Sequence, residues 1–343
     1  MKWLVVGAGS IGAQHIEVLA GTEGQEVACV EPDEDRWNTV GDHCKTRVSK
    51  TLEEGLKAGQ PDVALICTPT YLHITDAIQC FEAGCHVIIE KPVSDKMHPW
   101  PLADVQGDKI GMVAGQFRFH PGLMEMKKII DAGKSDDVDL GPIVSARAEY
   151  GETIGAWRLN VHYAKSHSAK KAQGGGLFFD RIHEFEYLMW LFGKPTSVYA
   201  TTAKRTELKT DVEDVAEVIL DFNGIPVSIH LDMVQKMYRM TLEVVFENDV
   251  VQWVNTPAIT AKVCLVNQVQ HWLKVFDGKE EPVQTIEDGY EVLRVAIAAY
   301  KSAGLGVRVD LSDPVDKYEA QQTEPAFPGA GGAFPSDGPL CQG

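Results

Sequence analysis

Residues 3–12 of the chain, WLVVGAGSIG, decide the fold. The apolar run WLVV is typical of a buried strand, and three glycines follow it at fixed spacing. Gly7 permits a tight turn, Gly9 lets the backbone approach a pyrophosphate, and Gly12 lets the next helix pack closely on the strand. Ser10 and Ile11 open that helix, whose N-terminal N–H groups and dipole favour phosphate. The stretch therefore predicts a dinucleotide-binding unit.

An acidic residue further along supports this interpretation. Glu31 follows the next predicted strand and lies 19 residues after Gly12, close to the spacing of about 20 that dinucleotide sites show. A carboxylate there accepts hydrogen bonds from the adenosine ribose and repels a 2′-phosphate. The next four residues are PDED, and Arg36 is the first base. We therefore predict NAD as the cofactor and favour NADP less.

The apolar pattern predicts two folded domains. Short apolar runs alternate with helical stretches up to about residue 119, which is typical of buried parallel strands joined by crossover helices. Beyond residue 120 the strands are longer, and several alternate apolar with polar residues, as in an antiparallel sheet with one wetter face. The predicted strands are Trp3–Val6, Val27–Val30, Val63–Ile66, Val87–Ile89, Met112–Phe117, Ile143–Tyr150, Ser197–Ala203, Ala216–Asp221, Val227–Val234, Thr241–Phe246 and Val250–Val254. Helices are predicted over Leu177–Phe192, Ala261–Phe276 and Asp288–Ala303.

These elements predict an α/β protein in three parts. Residues 1–119 form a doubly wound parallel sheet, and residues 120–316 form an α+β domain with an antiparallel sheet. Residues 317–343 are rich in Pro, Gly and Ala and repeat Ala-Phe-Pro, which favours a flexible tail. An arm that docks its two phenylalanines on a neighbouring subunit is the alternative for this tail.

Composition excludes several classes of partner. The 343 residues carry a formal net charge of -17, which disfavours nucleic acid and anionic membranes because both attract positive surfaces. No apolar run approaches the length of a membrane span, and the first apolar run has four residues, too few for a signal peptide. The seven cysteines form no CxxC motif, so we expect neither a disulfide framework nor a zinc site, and we expect a cytoplasmic protein.

Two segments stand where strands are predicted to end. The segment Cys67–His73, CTPTYLH, follows one strand, and Glu90-Lys91-Pro92 follows the next. Ligands of open α/β sheets bind beyond the carboxyl ends of the strands, so both segments should border the cofactor. Pro92 restricts the backbone of Lys91 to extended shapes, and Glu90 can tune the ammonium charge. A solvated turn with no role in chemistry is the alternative.

A third cluster is GGGLFFDRIHEFE at residues 174–186. Within one continuous helix, Asp180 and His183 are three residues apart and share a face that Glu186 continues. One interpretation is a buried histidine satisfied by Asp180. A metal site built from the three side chains is less favoured, because it lacks a second histidine at a standard spacing. The third interpretation is a histidine acid/base group oriented by a carboxylate.

Taken together, these motifs resemble the Gfo/Idh/MocA family of dehydrogenases. The matching pieces are VVGAGSIG, CTPTYLH, EKP, GQFRFHP, WR, GGGLFFDRIHEFEYLMWLFG and EDGYEVLRVAIAAYKSAGLG, which extend to about residue 312. The resemblance implies a Rossmann domain followed by an α/β domain whose large, mostly antiparallel sheet commonly forms dimers or tetramers. It also implies NAD(P)-linked oxidation or reduction of a sugar, cyclitol or related hydroxyl.

The resemblance also assigns roles to individual residues. Lys91 matches the catalytic lysine, with a peptide bond to Pro92 that can be cis. Asp180 and His183 match the carboxylate–histidine pair at the substrate. The positions that match cofactor contacts are Thr68, Pro69, Thr70, His73, Glu90, Lys91 and Gln116. The positions that match contacts with substrate or nicotinamide are Arg118, Trp157, Arg158 and Tyr163, the last of which lies in the segment before the three glycines.

One departure concerns the spacing in the third cluster. The family usually has four residues from the aspartate to the histidine, and here there are three. A subset with the shorter spacing and a Tyr- and Ser-containing segment before the glycines often lies in sugar-modification pathways, so a nucleotide sugar joins the candidate substrates. Gln116 stands where asparagine is common.

The resulting hypothesis is an NAD-dependent oxidoreductase acting on a sugar, cyclitol or nucleotide sugar, as a homodimer or homotetramer with no metal. Either Lys91 or His183 is the base. An NAD-dependent glycosidase that oxidises its substrate transiently, and a non-catalytic NAD sensor, are the alternatives.

Overall fold

The computed structural model describes residues 1–37, 46–97, 102–136, 138–157, 162–256 and 261–312. The tail at 317–343 and Arg158 lie outside these ranges. The first sheet consists of β1 (Lys2–Val6), β2 (Glu26–Val30), β3 (Arg47–Ser49), β4 (Val63–Ile66), β5 (His86–Glu90) and β6 (Gly111–Ala114). The helices of this part are α1 (Ser10–Ala20), α2 (Leu52–Gly59), α3 (His73–Glu82) and the short α4 (Leu102–Gln106).

All five strand pairings in this sheet are parallel, and the strand order is β3-β2-β1-β4-β5-β6. Every residue of β4 is buried, as expected for a strand covered on both faces. The order reverses between β1 and β4, and ligands of such sheets bind at this point. The predicted doubly wound sheet is confirmed. The last predicted strand is too long, because residues 116–119 form a 3₁₀ turn after β6.

The second sheet has seven strands in the order β14-β13-β9-β12-β11-β10-β15, antiparallel except for β9 beside β12. Their bounds are β9 (Ile143–Gly151), β10 (Ser197–Ala203), β11 (Val215–Phe222), β12 (Ile225–Asp232), β13 (Arg239–Phe246), β14 (Val250–Val254) and β15 (Val309–Asp310). A two-stranded ribbon, β7 (Lys134–Ser135) with β8 (Val138–Asp139), precedes it. Alternate residues of β11 are buried and exposed, so one face is packed and the other is open. The mostly antiparallel sheet is confirmed.

The remaining helices are α5 (Pro121–Ala132), α6 (Leu177–Asp180), α7 (Ile182–Phe192), α8 (Ala261–Phe276) and α9 (Ile286–Leu305). A capping box at Thr285 starts α9, and Gly306 in the left-handed region ends it. None of the helices in the described ranges is long and apolar enough to cross a membrane.

Helix α8 follows β14 of the second sheet in sequence but packs on the first sheet. Val269 and Trp272 of α8 share a buried apolar cluster with Trp3, Val5 and Ile16, and the rings of Trp3 and Trp272 lie 6.3 Å apart. The chain therefore returns to the first sheet after β14 and adds β15 to the second sheet only after α9. The domain boundary between residues 119 and 120 stays a prediction. By its packing, α8 belongs with the first sheet.

A histidine on the open face of the second sheet contacts two carboxylates. His230 Nδ1 lies 2.6 Å from Glu217 Oε1, and its Nε2 lies 3.2 Å from Asp232 Oδ2. Hydrogen bonds to these two carboxylates outweigh burial and raise the pKa of His230 to about 9.

Candidate active site

Two positions of the turn after β1 must be glycine for the chain to fold, whether or not a ligand is bound. Gly7 has φ +95°, and a Cβ there would lie 2.8 Å from the Cys67 carbonyl oxygen. A Cβ on Gly12 would lie well inside van der Waals contact of the Gly7 carbonyl oxygen. At Gly9, by contrast, the one atom of the described residues within 4 Å of a Cβ would be Arg36 Nη1, at 3.9 Å. The surroundings of Gly9 therefore leave room for a group that approaches the backbone closely.

The start of α1 fits a pyrophosphate. Its N-cap is Gly9, which provides no side-chain cap, and the first turn contains no acidic residue. The first backbone bond of the helix runs from Ala13 N–H to the Gly9 carbonyl at 2.9 Å. The N–H groups of Ser10, Ile11 and Gly12 precede it, at the positive end of the helix dipole. These groups would hold the phosphates of NAD.

Glu31 is buried and anchored beside this turn. Its Oε2 accepts a hydrogen bond from Ala8 N–H and its Oε1 from Asp33 N–H, both at 3.0 Å. Arg36 Nη1 lies 3.8 Å from Glu31, and Arg36 Nε lies 3.3 Å from Asp33. The arginine is thus held by the acidic turn, and the predicted preference of Glu31 for a ribose hydroxyl over a 2′-phosphate stays a prediction.

The segment after β4 is tied to the segment after β5 by one histidine. His73 is buried, and its ring nitrogens lie 2.8 Å from the Pro92 carbonyl and 2.9 Å from the Thr68 carbonyl. Burial lowers the pKa of His73, against the effect of these two carbonyls. Thr68 also donates to Asp76 at 2.7 Å. Pro69 leads into the 3₁₀ turn that Thr70 begins. His73 therefore fixes the two segments on which the cofactor assignment depends.

Glu90 and Lys91 stand at the end of β5, and the peptide bond from Lys91 to Pro92 is cis. Glu90 is buried and accepts a hydrogen bond from Lys91 N–H at 3.1 Å. Its other oxygen lies 2.8 Å from Nε2 of His15, a fully buried residue of α1. His15 was missed by sequence reasoning. The available signal was its place with Gly12, Ile16 and Leu19 on the buried stripe of α1.

The predicted continuous helix over Leu177–Phe192 is wrong. The helix breaks at Arg181, whose φ and ψ are -100° and 32°, so α6 ends at Asp180 and α7 begins at Ile182. The Asp180 backbone carbonyl accepts a hydrogen bond from Lys91 Nζ at 2.9 Å. Asp180 and His183 therefore do not share one face of a regular helix. The break brings the Asp180 backbone, rather than its carboxylate alone, to the lysine.

His183 lies in a buried and electropositive environment. Burial and the positive charges of Lys91 and Arg181 hold the pKa of His183 well below its usual range. The ring of Phe117 meets the imidazole edge-on, with ring centroids 4.7 Å apart. His183 Nδ1 has no hydrogen-bond partner within the described part of the chain. At neutral pH the imidazole is therefore uncharged, with both ring nitrogens in a site that disfavours a positive charge.

Glu186 was predicted to continue the helix face of Asp180 and His183, and it still lies three residues after His183 within α7. It is buried and pairs with Arg118 Nε, while Arg118 Nη1 donates to the Val283 carbonyl at 2.5 Å. Burial raises the pKa of Glu186, and the Arg118 charge opposes that shift. Arg118 therefore ties the turn after β6 to α7 and to the segment before α9, and its predicted contact with substrate stays a prediction.

The contacts of three other predicted residues are with neighbouring protein groups, and their roles at the cofactor or substrate stay predictions. Gln116 donates its N–H to the Gln268 amide of α8 at 3.3 Å when that amide is oriented to satisfy both groups. Trp157 packs on Tyr150 and donates to the Glu152 carbonyl at 3.3 Å. Tyr163 accepts a hydrogen bond from Lys209 N–H at 3.3 Å. The described residues contain no group of three or more potential ligands placed to hold a metal ion.

Comparisons with known proteins agree with this architecture. The family model for Gfo/Idh/MocA oxidoreductases with an NAD-binding Rossmann fold matches residues 1–102, and the model for the family's C-terminal domain matches residues 123–252. The inositol 2-dehydrogenase of Corynebacterium glutamicum strain R is 26% identical over 254 residues, which cover 71% of this chain and 70% of the relative.

Two solved structures share the fold over most of their length. The myo-inositol 2-dehydrogenase of Lactobacillus plantarum superposes with a TM-score of 0.78 at 20% identity and covers 90% of this chain and 99% of its own. The WlbA dehydrogenase of Bordetella pertussis, solved with NADH and UDP-GlcNAcA, superposes with a TM-score of 0.76 at 23% identity. The match covers 91% of this chain and 98% of WlbA. With its glycine turn, its cis-proline lysine and its two sheets, the chain belongs to the Gfo/Idh/MocA family of NAD-binding oxidoreductases.

Proposed function

We propose that this oxidoreductase is an NAD-dependent dehydrogenase that oxidises a secondary hydroxyl of a cyclitol, sugar or nucleotide sugar, or reduces the corresponding ketone. One observation carries the proposal. The Lys91 ammonium is held at the Asp180 carbonyl, and its charge acts on the uncharged His183 imidazole. Lys91 follows the carboxyl end of β5, and ligands of such parallel sheets bind beyond the carboxyl ends of the strands. The names of the relatives, inositol dehydrogenase and WlbA among them, support the substrate class.

The residues divide the chemistry as follows. The N–H groups at the start of α1 and the segments after β4 and β5 would bind the dinucleotide, which when bound would supply the hydride-transfer chemistry. His183, whose Nδ1 has no hydrogen-bond partner in the described part of the chain, takes the hydroxyl proton. Lys91 donates a hydrogen bond that stabilises negative charge on the substrate oxygen. Asp180 positions Lys91 through its backbone carbonyl.

The test is hydride transfer in a single turnover with saturating NAD, read by NADH absorbance over a panel of inositols, hexoses and UDP-sugars. We expect Lys91→Met and His183→Gln each to lower the transfer rate by about 10²–10⁴, the usual contribution of an acid–base group. Lys57→Met is the control, because Lys57 is exposed and pairs with Glu53 on α2. Wild-type rates in both active-site variants would refute the assignment.

The proposal also covers the oligomeric state and the cellular location of the protein. A homodimer or homotetramer formed through the second sheet is supported by its open face, which exposes apolar residues such as Tyr199 and Ile219. A cytoplasmic location is supported only by the odd number of cysteines and the lack of CxxC pairs in the sequence. The glycosidase and sensor alternatives find no support among the named relatives. NADH accumulating in proportion to substrate consumed would separate a dehydrogenase from both.

A further inference from the structure

A buried carboxylate and a tyrosine meet at the start of the helical turn α6. Glu213, which precedes β11, is buried, and its Oε1 accepts hydrogen bonds from Leu177 N–H at 2.6 Å and from the Tyr300 hydroxyl of α9 at 2.7 Å. Leu177 is the first residue of α6, and its N–H is one of the groups that a helix leaves without an internal partner. Glu213 therefore caps α6 from a distant part of the chain.

The close approach of these groups depends on a glycine and on aromatic packing. Gly176 has φ +115°, and a Cβ there would overlap the Tyr300 hydroxyl and lie 3.0 Å from Glu213 Oε1. The ring of Tyr300 packs on Phe178 and Phe179 of α6, with its centroid 4.5 and 5.2 Å from theirs. Burial raises the pKa of Glu213, and the hydrogen bond from Tyr300 opposes that shift. Polar and apolar contacts therefore hold α6 together.

The other end of the same turn holds Lys91. Asp180 is the last residue of α6, and its carbonyl accepts the hydrogen bond from Lys91 Nζ at 2.9 Å. The Asp180 N–H donates to the Gly176 carbonyl at 3.0 Å, which closes α6 into one turn. At a rise of about 1.5 Å per residue, Leu177 and Asp180 are about 5 Å apart along the axis. A displacement at the start of α6 is therefore transmitted to its last carbonyl.

We propose that Glu213 and Tyr300 are positioning residues: they fix α6, and through its last carbonyl they fix the ammonium group of Lys91. The inference rests on the proposed function, in which Lys91 donates a hydrogen bond to the substrate oxygen. Glu213 and Tyr300 act on that oxygen only through the lysine. Loss of either contact allows α6 to shift, and a displacement of about 1 Å at a reacting group lowers a rate by about 10²-fold.

The first experiment removes one interaction at a time from the start of α6. Tyr300→Phe deletes a hydroxyl and keeps the ring, and Glu213→Gln replaces the carboxylate with an amide of the same shape. We expect kcat to fall by about tenfold in Tyr300→Phe and by up to about 10²-fold in Glu213→Gln, with KM changed less than about twofold, since the lysine acts mainly on charge that develops in the transition state.

Each variant has a control with a matching chemical change. Ser302→Ala removes a buried hydroxyl of α9 that accepts from a backbone N–H of β10. Asp214→Asn changes the adjacent buried carboxylate, which accepts from backbone N–H groups of the loop after β10. Thermal unfolding measures the stability of all four variants, and we expect both controls to keep the wild-type kcat. Equal losses of kcat in the controls and in the α6 variants would overturn the inference.

The second experiment asks whether Glu213 acts through Lys91. Glu213→Gln is combined with Lys91→Met, and kcat of the double variant is compared with that of Lys91→Met alone. If Glu213 acts by placing the lysine, changing it after the lysine is gone should lower kcat by less than about twofold, because the two sites are coupled. A further fall as large as that in the wild-type background would show a separate structural effect and contradict the proposal.

A measurement on Lys91 itself separates this inference from the proposed function. Acetic anhydride labelling of the NAD-loaded protein, quantified by mass spectrometry, compares the Lys91 amine with that of the exposed Lys57. We expect labelling of Lys91 to rise about three- to tenfold in Tyr300→Phe and Glu213→Gln, the factor for one weakened hydrogen bond, and to stay at the wild-type rate in both controls. If labelling rises and no compound yields NADH, the positioning inference stands and the proposed activity fails. If NADH forms while labelling and kcat stay unchanged in both α6 variants, the activity stands and the positioning inference fails.

Discussion

Replacing His15 tests how Lys91, the proposed catalytic lysine, is positioned by a residue that reaches it through Glu90. His15 Nε2 and Glu90 Oε1 lie 2.8 Å apart, the imidazole is fully buried, and 9% of the Glu90 side chain is exposed. His15→Leu removes the partner of a buried carboxyl group, whereas His15→Gln supplies an amide N–H that can replace the lost donor. The pair of variants therefore separates the hydrogen bond from the bulk of the side chain.

The expected loss of unfolding free energy depends on the interactions that Glu90 retains when His15 is replaced. Removing one partner of a buried polar pair costs about 3–5 kcal/mol when nothing compensates. Glu90 retains the hydrogen bond from Lys91 N–H at 3.1 Å and a small exposed fraction, so we expect about 2–3 kcal/mol for His15→Leu. At about 2 °C per kcal/mol for a protein of this size, Tm should fall by about 4–6 °C. His15→Gln should lose less than half of this.

Thermal unfolding by calorimetry measures the stability, and single-turnover hydride transfer measures the consequence for Lys91. Glu90 holds the Lys91 backbone, so His15→Leu should lower kcat with little change in the KM for substrate, and His15→Gln should restore it in part. Equal losses of stability and kcat in the two variants would refute the reasoning, because packing rather than the hydrogen bond would then be responsible.

Three further predictions concern the glycine turn and two histidines. Gly12→Ala should abolish NADH binding measured by fluorescence, since its Cβ would overlap the Gly7 carbonyl oxygen; Gly304→Ala, which meets no atom within 4 Å, should bind normally. The pKa of His183 is lowered in the folded state, so stability should fall as pH drops below the unfolded value of about 6.5, and urea titrations of His183→Gln should show a flatter dependence there. The pKa of His230 is raised to about 9, so its contribution is complete below about pH 6.5 and is lost as pH rises through 9. After discounting for its partial exposure we expect on the order of 1 kcal/mol, and a wild-type pH profile unchanged in His230→Gln would contradict this.

Much of the fold could be predicted from the chain because its signals are local. Strands β4, β10 and β14 and helix α8 begin and end at the predicted residues. A buried strand needs a short apolar run, and a helix start needs free N–H groups, whatever lies far away in sequence. The cis bond before Pro92 agrees with the family resemblance.

Local patterns were less informative about how the site is assembled. The spacing of Asp180 and His183 suggested one continuous helix, because a period of 3.6 residues cannot reveal a break at a single residue with no glycine or proline. The break at Arg181 is stabilised by contacts with other elements: Arg181 pairs with Glu184 at 2.9 Å and lies over the ring of Tyr150. Its presence depends on the second sheet.

The sequence alone determined the glycine turn and the two sheets, because these depend on backbone sterics and on apolar patterns within one element, and it named the residues that we propose for the chemistry. The tertiary structure decided which of those residues meet. His15 and Glu90 are 75 residues apart, Lys91 and Asp180 are 89 apart, and Arg118 and Glu186 are 68 apart. A hydrogen bond across such a separation has no periodic signature, since it arises only when the packed sheets and helices bring the two side chains together.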